Sequence, residues 1–358
     1  MEYQQFDFYA KTLFHAEHVG RYLAGTRPVP LNVEIDLTNA CNHRCTFCQW
    51  ADYIQRSRAT LPEPVVQRTL GELRDLGTRA ITWTGGGEPT LHKAFFTLLD
   101  HAHRLGLDNG LLTNGSRLAP ERDAQVLGQL VWLRVSMAGG DPASYRAVQG
   151  RDDFDLVLGN LRRLAEAKRR RGAATDLGVA FLVTPASVRS LRPFAGLLAD
   201  AGVDYLQVRQ DMYAEAAERR WWNDEVLPVV REVAGELAGG GLRLLGARYL
   251  DAQADVGYPS RCHAHHFVCA INAEGHVCFC KNTRDKPDFY IGNVLTEPFT
   301  EIWARSVRAL ELEARVNPAN CATFCKNMDI NRAVEDVIQG KMPADRSAGG
   351  PPVHPNFL

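Results

Sequence analysis

Strand-like and helix-like segments alternate along the first 215 residues, and this alternation constrains the fold more than any other feature of the chain. Residues 32–39 (Asn-Val-Glu-Ile-Asp-Leu-Thr-Asn) alternate apolar and polar, as a strand does. Further strand-like runs fall at 80–84, 110–113, 130–137, 177–183 and 205–209. Helical stretches separate them: 63–77, with Val65, Val66, Leu70, Leu73 and Leu76 on one stripe, then segments around 95–99, 154–168 and 191–201. Repeated strand–helix units predict a parallel sheet wrapped by helices, joined by right-handed crossovers. Six units are too few to close an eight-stranded barrel. The expected class is therefore α/β, with an open or partial (β/α)6 barrel over 28–215. In such sheets, sites form at the carboxyl ends of the strands.

Around this barrel the chain divides into an N-terminal extension (1–27), a connecting helix (216–255), a small hairpin-plus-helix domain (256–345) and a flexible tail (346–358). The basic run Lys168–Arg171 reads as a solvated helix end. Basic and acidic residues nearly cancel (41 against 42), so no global positive field favours nucleic acid. No apolar run reaches the ~20 residues that span a bilayer. The N-terminal residues lack the apolar core of a signal peptide, and the cytoplasm is the expected location.

The nine cysteines occupy two regions, with none between residues 49 and 261. An odd number in a reducing compartment argues for metal or redox chemistry over disulfides. Cys41, Cys45 and Cys48 follow the first strand in a Cys-x3-Cys-x2-Cys spacing. Three thiolates this close can hold three irons of a cubane cluster and leave one iron with an open position. A zinc site would need a fourth ligand. His43 is available, but it lies inside the loop, where tetrahedral geometry is poor.

This pattern resembles the signature of the radical S-adenosylmethionine (SAM) superfamily, with Phe47 at its aromatic position. The resemblance extends to Gly85-Gly86-Gly87-Glu88-Pro89 after the second strand, to Asn114 after the third and to Ser136 at the end of the fourth. It implies a [4Fe–4S] cluster on Cys41, Cys45 and Cys48. It further implies a glycine loop meeting the SAM amino group with help from Glu88, and Ser136 near the SAM carboxylate or ribose. The implied chemistry is reductive cleavage of SAM to a 5′-deoxyadenosyl radical, which takes a hydrogen atom from an unactivated C–H bond. An external one-electron donor such as flavodoxin or ferredoxin would supply the reduction.

The second region holds Cys262, Cys269, Cys278, Cys280, Cys321 and Cys325 around a hairpin turn at Asn272–Gly275. It resembles the SPASM/twitch extension of radical SAM enzymes through Cys262, Gly275-x-Val277-x2-Cys280, Gly292-Asn293-Val294 and Glu301-Ile302-Trp303. The resemblance implies one auxiliary [4Fe–4S] cluster, on Cys262, Cys280, Cys321 and Cys325. A zinc knuckle is the competing reading. Cys269 and Cys278 then stay unused, as small buried hydrophobes or as a hydrogen-atom donor, or else one of them, Cys269 first, replaces a chosen ligand. Only a short stretch precedes the first strand, where peptide-modifying relatives carry a leader-binding module. This favours a small, carbohydrate-like substrate, epimerised or dehydrogenated at a carbinol carbon, as in sugar and aminocyclitol enzymes of antibiotic biosynthesis. A peptide-modifying maturase is the alternative. Gln49, Trp50, Arg209 and Asp211 are candidates for substrate contact. Arg209 is the foremost, because a strand-end guanidinium can fork onto hydroxyls or an oxyanion.

Overall fold

The computed structural model describes residues 6–211, 216–245, 261–305, 307–321, 325, 327–341 and 351–358. The strands are β1 (Asn32–Asp36), β2 (Ala80–Thr84), β3 (Asp108–Thr113), β4 (Trp132–Ser136), β5 (Asp176–Leu182), β6 (Tyr205–Arg209), β7 (Arg243–Leu245), β8 (Val268–Ile271), β9 (His276–Cys278) and β10 (Tyr290–Asn293). The helices before β5 are α1 (Phe8–Phe14), α2 (Ala16–Leu23), α3 (Ala51–Arg56), α4 (Glu63–Leu76), α5 (Phe95–Arg104), α6 (Asp123–Gln129), α7 (Pro142–Gln149) and α8 (Phe154–Arg171). After it come α9 (Leu191–Ala201), α10 (Ala216–Trp221), α11 (Leu227–Glu236), α12 (Phe299–Arg305), α13 (Val307–Arg315) and α14 (Asn327–Ile338). Among the described residues no helix is long and apolar enough to cross a membrane.

The chain forms two compact units that interleave in sequence. One is built from Gln4–Ala40, Ser57–Gly110 and Val256–Leu358; the other from Cys41–Arg56 and Leu111–Asp255. Strand β3 carries the chain from the first unit into the second.

In the first unit the strand order is β10-β9-β8-β1-β2. β1 pairs in parallel with β2 on one side and with β8 on the other, while β8, β9 and β10 form an antiparallel meander. The expected hairpin at Asn272–Gly275 is present. Gly275 has φ +85°, a left-handed backbone that suits glycine, and a Cβ there would lie 2.5 Å from Asn293 Oδ1. Helices α1, α2 and α14 share one apolar core through Phe8, Val19, Leu31, Phe267, Ile330, Val334 and Leu358. The N-terminal extension is thus part of this unit's core. The end of the expected flexible tail is also tied down. Phe357 and Leu358 are buried, Lys11 Nζ donates to the Phe357 carbonyl at 3.0 Å, and Asn32 Nδ2 donates to the Leu358 carbonyl at 3.2 Å. Residues 346–350 lie outside the described residues.

In the second unit, β4, β5, β6 and β7 pair side by side in parallel. Every residue of β5 but the last is buried, as expected of a parallel strand covered on both faces. Residues 216–255, expected as one connecting helix, contain α10, a π turn over 222–226, α11 and the additional strand β7. Three residues are too few for β7 to show a period in the sequence. Residues 246–255 lie outside the described residues. Helix α7 also went unpredicted, although Asp141 caps it through its own carboxylate and a reciprocal Ser144 bond. The basic run at Lys168–Arg171 is the last turn of α8, where positive charge complements the helix dipole, and Gly172 ends that helix at φ +61°.

Candidate functional site

Within the second unit, the loop carrying Cys41, Cys45 and Cys48 is pinned by backbone and side-chain bonds. Arg44 N–H donates to the Gln149 carbonyl at 3.1 Å and Thr46 N–H to the Val148 carbonyl at 2.8 Å. Asn114 Nδ2 donates to Asn42 Oδ1 and Asn42 Nδ2 to Ser116 Oγ, both at 2.8 Å. Asn114 therefore holds the cysteine loop at the end of β3. His43 is turned into the protein, with Nδ1 3.3 Å from Gln149 Nε2 and Nε2 3.5 Å from Asp153 Oδ2. The Cys45 thiol is pushed up to about 12, first by burial and then by the neighbouring Cys48 and Cys41 sulfurs. A buried thiol whose ionisation its neighbours oppose becomes stable as a thiolate once cations sit among the three sulfurs. Phe47 is half-buried in the same loop. Ser136 closes β4, and its carbonyl accepts from Gln149 Nε2 at 3.2 Å. Arg209 closes β6, with Asp211 exposed beyond it, while Trp50 is buried and Gln49 exposed.

Within the first unit, the glycine run packs on the backbone that leads into the cysteine loop. A Cβ on Gly87 would lie 2.3 Å from the Ala40 carbonyl oxygen and 2.5 Å from that of Thr38. Gly87 N–H donates to Thr38 and Glu88 N–H to Ala40. Gly85 sits against Asp36, and Gly86 N–H donates to Asp36 Oδ2 at 3.3 Å. The run is a close-approach device for its own backbone. Glu88 is buried, and its Oε1 accepts from Thr90 N and Thr90 Oγ, capping the turn Pro89–Leu91.

The same unit gathers the second cysteine set. Cys262 is pushed up to about 12 by burial, with Cys280, Cys325 and Cys321 adding to the shift in that order. Amide N–H groups face these sulfurs: Asn282 N lies 3.5 Å from Cys280 Sγ, and Asn331 Nδ2 lies 3.9 Å from Cys262 Sγ. Cys269 and Cys278 are fully buried in β8 and β9, where burial raises both thiols. Arg27 and Glu34 lie near Cys269, and Arg284, Asp36, Cys269 and Cys280 near Cys278.

A buried ion network went unrecognised in the sequence. Arg284, four residues beyond Cys280, bonds Asp36 at 2.9 Å through Nε and Glu34 through Nη2, and Lys281 lies 3.7 Å from Glu34. Asp36 is pushed up to about 6 by burial, which Arg284 opposes. Arg284 stays charged, because Asp36 and Glu34 outweigh its own burial. The signal was present as acidic residues inside the apolar alternation of β1. The partner that explains them lies some 250 positions away. Arg134 and Gln207, bonded at 2.6 Å inside the second unit, are a similar buried polar pair.

A family model described as the radical SAM superfamily matches residues 35–195, and an iron–sulfur cluster-binding SPASM model matches 262–327. The chain thus carries a radical SAM domain followed by a C-terminal SPASM domain, and its α/β fold with a parallel sheet is of the radical SAM type. Mycofactocin maturase MftC of Mycolicibacterium smegmatis is 28% identical over 317 residues, 85% of this chain and 77% of that protein. PqqA peptide cyclase of Rhodopseudomonas palustris is 27% identical over 192 residues, 53% of this chain and 49% of that protein. The crystal structure of Streptococcus suis SuiB bound to precursor peptide SuiA shares the fold at TM-score 0.65 and 14% identity, covering 84% of this chain and 70% of that one. The cofactors are S-adenosylmethionine and two [4Fe–4S] clusters. The two thiol sets fit them in number and donor chemistry.

The relatives overturn one expectation. Mycofactocin maturase and PqqA peptide cyclase, with GTP 3′,8-cyclases over shorter stretches, are not named for sugars or aminocyclitols, so the expectation of a carbinol epimerase or dehydrogenase is overturned. The carbohydrate inference rested on the resemblance of the second cysteine region to twitch-type enzymes of small polar metabolites and on the shortness of the N-terminal stretch. Cofactor-binding spacing carries no information about the side chains that meet a substrate.

Proposed function

We propose that this chain is a SPASM-type radical SAM maturase that modifies a peptide. The carrying observation is the similarity to mycofactocin maturase, which runs through both iron–sulfur domains and most of each chain. In this reading Cys41, Cys45 and Cys48 hold the SAM-binding cluster, and Cys262, Cys280, Cys321 and Cys325 hold the auxiliary one. When bound, these groups supply one-electron cleavage of a C–S bond and removal of a hydrogen atom from an unactivated carbon.

The protein contributes position and dryness. Asn114 and Asn42 fix the first cysteine loop from β3, and Gly85–Gly87 lets residues 38–40 settle beneath the glycine loop. Asp36 and Arg284 tie the loop after Cys280 to β1, the strand that leads into the first cysteines. Asn282 and Asn331 direct N–H groups at the auxiliary sulfurs, which favours the thiolate form. In this reading Ser136, at the end of β4, meets SAM, and Arg209, at the end of β6, meets the substrate.

The test is incubation of anaerobically reconstituted protein with SAM, a reductant and short peptides encoded beside its gene, the peptides carrying deuterium at side-chain carbons. Deuterium in 5′-deoxyadenosine together with a mass change in one peptide is expected. Abundant 5′-deoxyadenosine that takes deuterium from no peptide overturns the proposal.

A further inference from the structure

Cys262 is followed by His263-Ala264-His265-His266, a run the iron–sulfur chemistry does not use. His265 and His266 are 2% and 4% exposed; none of their four ring nitrogens makes a hydrogen bond of ordinary geometry, and Glu313 is the one group paired with both. A neutral imidazole always carries one N–H, so two buried rings served only by one carboxylate oxygen at 3.5 and 3.7 Å are under-satisfied unless something else joins them. Both rings aim Nε2 at one atom. His265 Nε2 lies 3.7 Å and His266 Nε2 3.5 Å from Glu313 Oε2 on α13, and one ligand atom from each of the three residues falls within 4.8 Å of the other two.

We propose that His265, His266 and Glu313 bind a divalent ion of the zinc class, at a site distinct from the cysteine sets. Two donors tetrahedrally placed about 2.0–2.1 Å from zinc lie roughly 3.3 Å apart, so the histidine–carboxylate spacing needs to close by only a few tenths of an ångström. Two imidazoles and one carboxylate are a donor set zinc accepts readily. The outer contacts are those of a ligand set. Glu313 gives its other oxygen, Oε1, to Arg261, which orients the carboxylate. His265 is stacked on Phe279 with centroids 4.1 Å apart, and His266 lies against Tyr22 at 4.5 Å. His263 is engaged elsewhere: its Nδ1 takes the Tyr22 hydroxyl at 2.7 Å and its Nε2 faces Glu335. The guanidinium groups of Arg27 and Arg261 oppose a cation here, and Glu313 and Glu335 offset them.

His266 and Glu313 also line a cavity of about 580 Å³, so the remaining coordination position is open to water or to an oxygen ligand. The ion would join the turn after Cys262 to the helix that precedes Cys321, bracing the segments that bear two of the four auxiliary thiols.

The test uses the reconstituted holoenzyme, incubated with zinc, desalted and analysed for metals and by zinc-edge X-ray absorption. The expected result is about one zinc per chain beside unchanged iron, with nitrogen and oxygen scatterers at about 2.0 Å and no sulfur shell at about 2.3 Å. Glu313→Gln and His265→Gln should retain at least tenfold less zinc at the wild-type iron content. Equal zinc retention in wild type and variants overturns the proposal. So does a sulfur shell in the wild-type spectrum, which would mean the ion sits on cysteines. If a variant loses iron as well, the scatterer identity in the wild-type protein decides.

Discussion

Gly87→Ala tests how the glycine run acts. The new methyl group would begin 2.3 Å from the Ala40 carbonyl oxygen, 2.5 Å from that of Thr38 and 2.7 Å from the Asn39 carbonyl carbon. All three are backbone atoms, so no side chain can swing aside. Restoring an ordinary separation of roughly 3.4 Å requires a shift of about 1 Å. Overpacking of this kind costs about 1–3 kcal/mol. The shift would be passed to Cys41, the next residue along the chain, and a misplacement of ~1 Å in a catalytic constellation can cost on the order of 100-fold in rate. The assay is 5′-deoxyadenosine formation by the reconstituted, reduced protein, with iron content measured alongside. Gly71→Ala is the control, because nothing lies within 4 Å of its added Cβ on α4, and it should leave the rate unchanged while gaining about 0.5–1 kcal/mol in stability. A Gly87→Ala protein within twofold of wild type in rate would refute the idea that this glycine sets the cysteine loop.

Other outcomes follow from the same geometry. Arg284→Leu leaves Asp36 and Glu34 buried without their guanidinium and should cost about 3–5 kcal/mol in denaturant unfolding, partly recovered by adding Asp36→Asn; a loss below about 1 kcal/mol contradicts the network. Cys280→Ala should lower the iron content of reconstituted protein by about four per chain while SAM cleavage persists, whereas Cys269→Ala should leave the iron count intact. Removing Phe357 and Leu358 exposes a buried edge of the α1–α14 core and should lower stability by about 3 kcal/mol or more, read from thermal unfolding; an unchanged midpoint would mean that these contacts contribute little.

Much of the fold was legible because its signals are local. Period-2 alternation marks β1, the 3.6-residue stripe marks α4, and thiols three and four positions apart reach the same site whatever the rest of the chain does. The glycine run after β2 was equally plain, although its observed contacts are with Asp36 and residues 38–40 of its own chain. The short strand β7 was not legible, because three residues carry no period.

What the sequence determined by itself was the order of the βα units, the triplet that can hold an open-cornered cluster, and the existence of a second thiol-rich domain. The tertiary structure alone decided that Arg284 answers Asp36 and Glu34, that the C-terminal residues complete the core of α1 and α14, and that His265 and His266 meet Glu313. These juxtapositions join positions tens to hundreds of residues apart. Local propensity constrains each partner separately, and only the packed chain fixes which distant groups it shields from water together.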